Sequence, residues 1–118
     1  MTDESLKTNC RVLKGLLAIQ NRAIDLEFQL RANGSMNEAD QIGLGIDKLD
    51  FLIRVLRGKI LDDWSAQVPD LRKKLMKMNA ETQDTINDIE DDIETAKRVV
   101  SLVGKVDKLV SLLGPLLL

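Results

Sequence analysis

Six carboxylates, Asp84, Asp88, Glu90, Asp91, Asp92 and Glu94, crowd one stretch of the chain, and several pairs stand four residues apart. On a helix that spacing puts two side chains on one face. Two carboxylates so placed could hold a hard cation or share a proton. The stretch lacks the glycine and the alternating ligand pattern of a calcium loop. The Glu-x-x-His element of a di-iron bundle cannot be written, because the chain contains no histidine. The same lack removes the usual general base near neutral pH, the usual zinc ligand and every Ser-His or Cys-His nucleophile pair. The acidic run reads as a solvated helix face. No catalytic residue, metal ligand or cofactor site is assigned, and the expectation is a protein that is not an enzyme.

Other chemically suggestive residues also reduce to structure. Cys10 is the single cysteine, so the chain can build neither an internal disulfide nor a zinc cluster from cysteines. Its place on an apolar helical stripe predicts a buried, unreactive thiol. Gly43-Leu44-Gly45 resembles part of a dinucleotide fingerprint, but no third glycine stands at the required offset and no strand precedes it. Small residues there predict the close approach of a neighbouring helix. Trp64 falls one turn past Ile60 and is expected to close one end of the fold. The basic block Arg72, Lys73, Lys74 and Lys77 is a small footprint beside an acidic stretch. With a net charge of -2, the chain has no long-range attraction to phosphate, and nucleic acid is not an expected partner. The start, Met1-Thr2-Asp3-Glu4, has no basic segment leading into an apolar run, so no secretory signal is read and cytoplasmic residence is expected.

The elements that carry these residues are helices. Hydrophobic residues make up 44% of 118 and aromatic ones only 3%, so burial falls to aliphatic side chains, which recur at helical spacing. One domain is expected over residues 1–118. Helix 1 is read over about 3–33, opened by Thr2 and complemented by Asp3 and Glu4. Two stripes run along it: Leu6, Cys10, Leu13, Leu17, Ile24 and Phe28 form one, and Val12, Leu16, Ile19, Ala23, Leu26 and Leu30 the other. An apolar arc this wide must touch more than one neighbour. Asn33-Gly34 supplies a left-handed stop. Ser35-Met36-Asn37-Glu38 has the form of a capping box opening helix 2, read over about 36–63. Its seam runs Ala39, Ile42, Ile46, Leu49, Ile53, Leu56 and Ile60, broadened by Leu44, Leu52 and Val55. The short turn predicts an antiparallel hairpin. Pro69 sets a break between Asp62 and Pro69, and helix 3 is read over about 69–113, to a Gly114-Pro115 stop. The expected architecture is an all-α, antiparallel three-helix bundle.

The lengths of these helices do not match. At about 1.5 Å per residue the first two reach roughly 40–46 Å, and an unbroken helix 3 roughly 65 Å. Either Gly104 kinks helix 3 so that its last turns fold back, or the C-terminal part projects towards another molecule. That part carries Val99, Leu102, Val103, Val106, Leu109, Val110 and Leu113 on one broad apolar face, with Lys105, Asp107 and Lys108 opposite. The expected function follows from this face: a helical interaction or assembly module that docks a protein partner or self-associates into a homo-oligomer through these seven residues. The alternative is a membrane-active protein that releases the same segment to a lipid interface, since mid-segment charges disfavour a spanning helix. Self-association centred on Ile89 would oppose like charges in either orientation.

Overall fold

In the computed structural model, residues 3–59, 71–91 and 96–113 are described, with side chains over 6–59, 73–89 and 98–113. The chain is all-α but forms four helices instead of three: α1 (Asp3–Ala32), α2 (Met36–Gly58), α3 (Leu71–Asp91) and α4 (Ala96–Leu113). No strand occurs among the described residues.

The first turn shows why α1 stops where it does. Gly34 takes a left-handed backbone, φ 82°. Its N–H donates to the carbonyl of Arg31 at 3.1 Å, and the N–H of Ser35 donates to the carbonyl of Leu30 at 2.9 Å. These two bonds close a Schellman motif and satisfy carbonyls that the helix end leaves without partners. They also explain why the expected capping box is not formed. Ser35 is the N-cap of α2 without a side-chain cap bond, and its own N–H is already spent on Leu30. Glu38 therefore has no donor to reach back to, and serves only as the acidic residue of the first turn. At the far end α2 stops at Gly58 and not at residue 63, with the Lys59 N–H turned onto Leu56 O at 3.1 Å. Glycine is the weakest helix former after proline, so a helix end falls there at little cost.

The third predicted helix is two helices, and the chain turns back between Asp91 and Ala96, not at Gly104. Gly104 lies inside α4, and a Cβ built on it would meet nothing within 4 Å. Asp88 brings negative charge to the last turn of α3, where the helix dipole opposes it. The excess length is thereby removed, because 21 and 18 residues fit side by side in a molecule 48 Å long. The Thr2 cap, Ile60, the Asp62–Pro69 break, Trp64, Arg72 and the Gly114-Pro115 stop lie outside the described residues or side chains.

Each helix has two neighbours: α1 packs on α2 and α3, and α4 packs on α2 and α3. Side-chain pairs fix the directions. Gln20 Nε2 donates to Ile46 O at 3.4 Å and Arg31 Nη2 meets Asp40 Oδ1 at 3.1 Å, so α1 and α2 run antiparallel. Arg98 Nη1 donates to Asp88 O at 2.9 Å and Lys105 to the Thr85 hydroxyl, so α3 and α4 do the same. Between hairpins the order is parallel. Gly15 lies beside Asn79, and Arg22 reaches Gln83 and Asn87; Gly45 lies beside Val106, and Lys48 reaches Asp107. Two helical hairpins thus stack with like-directed helices in contact.

The shared interior contains Leu16, Ile19, Leu26 and Leu30 of α1, Leu49, Leu52 and Leu56 of α2, Ile86 and Ile89 of α3, and Leu102 and Leu109 of α4. Two threonines are buried with them, and their hydroxyls donate to carbonyls one turn back, Thr82 to Met78 O at 2.7 Å and Thr85 to Glu81 O at 2.9 Å. A buried hydroxyl satisfied in this way avoids the desolvation penalty of an unmade bond.

Candidate interaction surface

The seven residues of the C-terminal apolar face do not lie on a projecting surface. Val99, Leu102, Val106, Leu109 and Leu113 are buried, and Val103 and Val110 are half-buried against the same core. The reason is the turn after Asp91: it lets α4 lay its apolar side between α2 and α3. The face on which both the docking and the lipid readings were built is therefore interior to the folded chain. No helix among the described residues is long and apolar enough to cross a membrane.

Apolar side chains do reach solvent elsewhere. Both phenylalanines of the chain are outside the core, Phe28 at 62% and Phe51 at 63% exposure, together with Leu44 at 64%. Leu17, Met36, Met76 and Val100 are also exposed. Large aromatic residues contribute most to burial when buried, so placing both of them outside leaves that contribution unused within the fold.

Their spacing organises these residues. On α1, Leu17, Ile24 and Phe28 stand seven and four residues apart, one line along an outward side that Cys10 extends as a half-exposed thiol, not the buried one expected. On α2, Leu44 and Phe51 stand seven apart with Lys48 between them. The Lys48 ammonium meets Asp107 of α4 at 2.8 Å. That pair places the Leu44–Phe51 line on the flank of α2 next to α4, where Val100 is exposed and Val103 and Val110 are half-covered. Two of the seven expected residues thus border an exposed apolar line, although not the one foreseen.

Gly45 is buried against α4, where a Cβ would make ordinary contact with Val106 Cγ1 at 3.5 Å, and a Cβ on Gly43 would meet the flexible carboxylate of Glu27, so neither glycine is needed for the helices to approach. Charges flank the apolar lines. Arg31 bridges Glu27 at 3.6 Å and Asp40 at 3.1 Å, and Arg54 pairs with Asp50 one turn away. The Arg54 hydrogen bond holds the Asp50 carboxyl below its ordinary pKa. Asp84 and Asp88 of the acidic run, and Lys73, Lys74 and Lys77 of the basic block, are exposed.

The sequence placed Leu17 and Phe28 on a second α1 stripe and Leu44 on a broadened α2 seam, and left Phe51 without a role. The signal was present in the phase. At about 100° per residue, Leu44 and Phe51 share one direction, well over 90° from Leu49 in the middle of the seam. This chain matches no known protein family, no curated protein sequence and no solved structure.

Proposed function

We propose that this chain is a non-enzymatic helical interaction module whose four-helix bundle is a scaffold for protein contact. One observation carries the reading: the core closes without Phe28, Leu44 and Phe51, and all three are more than 60% exposed. Surface apolar residues scattered singly need no explanation, but lines of them at heptad spacing are what a further helix packs against. The contact lies on the outer sides of α1 and α2. The C-terminal half of the former third helix supports it from within.

The chain is expected to associate with itself in solution. The test is sedimentation equilibrium over a wide concentration range on the native chain and on a variant carrying Leu17→Gln, Phe28→Gln, Leu44→Gln and Phe51→Gln. All four positions are exposed, so helix content and melting temperature should be kept while association is lost. A native chain that stays monomeric at every concentration overturns the reading.

A further inference from the structure

Helix α2 is electrically two-ended. Its first half, Met36 to Asp47, carries Glu38, Asp40 and Asp47 and no cation; its second half, Lys48 to Gly58, sets Lys48, Arg54 and Arg57 against Asp50 alone. Along the outer side the exposed residues run Asp40, Leu44, Asp47, Lys48, Phe51, Arg54. Reversed, that order complements itself, acid over base at the ends and apolar over apolar within.

We propose that this side of α2 docks a second copy of the chain. Two α2 helices pack antiparallel about a two-fold axis between Asp47 and Lys48. Leu44 of each copy lies on Phe51 of the other, and Asp40 of each faces Arg54 of the other. The inference rests on the interaction reading above and names its partner.

Charge selects this occupant and this orientation. A parallel, in-register pair would set Asp40, Asp47, Lys48 and Arg54 each against its own copy, four like-charge contacts that oppose association. In the antiparallel pair only the two residues at the axis meet their copies, and the charge of Lys48 is already balanced by Asp107 at 2.8 Å. Antiparallel helix dipoles add attraction. The existing partners of Asp40 and Arg54 do not stand in the way. The Arg31–Asp40 and Arg54–Asp50 pairs are exposed, and exposed pairs exchange at little cost. The contact is isologous, so it closes as a dimer and leaves no repeating edge.

Single cysteines in a Cys10→Ser background test the geometry, with folding checked by circular dichroism. Under mild oxidation Asp47→Cys is expected to link to itself across the axis. Asp40→Cys is expected to link to Arg54→Cys in a mixture, and not to itself. In sedimentation, Asp40→Lys should raise the dimer dissociation constant at least about tenfold, from the like charge it sets opposite Arg54. The swap Asp40→Arg with Arg54→Asp should restore it. Self-linking of Asp40→Cys, or a swap no better than the single reversal, overturns the antiparallel pairing. A chain that associates but gives none of these links overturns the pairing and leaves the interaction reading standing; a strictly monomeric chain overturns both.

Discussion

Gly15 and Gly104 both interrupt the helices that carry them, and their surroundings give the same substitution effects of different size. At Gly104 an added methyl enters open space, so Gly104→Ala should stabilise the chain by about 0.5–1 kcal/mol through helix propensity and a stiffer unfolded state. At Gly15 the methyl would overlap the side-chain amide of Asn79 on α3. Asn79 is partly buried and its Oδ1 has no hydrogen-bond partner, so nothing anchors the amide and a rotation of this flexible side chain relieves the overlap. Gly15→Ala is therefore expected to keep only part of the propensity gain, because Asn79 must shift to admit the methyl. Chemical denaturation of the two variants beside the native chain decides this. If Gly104→Ala destabilises the chain, α4 bends at Gly104 after all.

Among the elements, α4 is where sequence and structure part. The α1 stripe of Val12, Leu16, Ile19, Ala23, Leu26 and Leu30 is buried as read. So is the α2 seam through Ala39, Ile42, Leu49, Ile53 and Leu56. These two helices have one apolar phase that is deep enough to dominate, and the Asn33-Gly34 stop between them is chemically explicit. Residues 96–113 offer two phases, because valines and leucines occupy nearly every other position. Carried across the break without interruption, the seam runs through Val100, Val103, Val106, Val110 and Leu113. In the folded chain Val106 and Leu113 of that seam are buried, Val99, Leu102 and Leu109 go inside with them, and Val100 goes out. Single-sequence periodicity gives no reason to prefer either phase; the packing partners α2 and α3 decide. Leu109→Ala should accordingly cost about 2–5 kcal/mol as a core cavity, and Val100→Ala no more than about 0.5 kcal/mol. Urea titration separates them. Should Leu109→Ala leave stability untouched and abolish association instead, α4 would be the contact face that its composition first suggested.

Across the whole molecule, the register of the four helices sends the start of α1 and the end of α4 towards the same pole. The opposite pole holds the short turn at Gly34 and the reversal between α3 and α4. Helix α2 ends at the first pole and α3, diagonal to it, begins there, so the hairpins stack with parallel neighbours. This layout makes the chain a candidate for circular permutation. A flexible linker of about ten residues spans the distance between helix ends at one pole, so the chain could be joined there and reopened between Gly34 and Ser35. The permuted protein would begin with α2 and finish with α1, and it should recover the native helical spectrum and a single cooperative melt. Its new ends would emerge at the pole opposite the native helix ends, so a passenger fused to the permuted chain would sit at the other tip of the 48 Å rod.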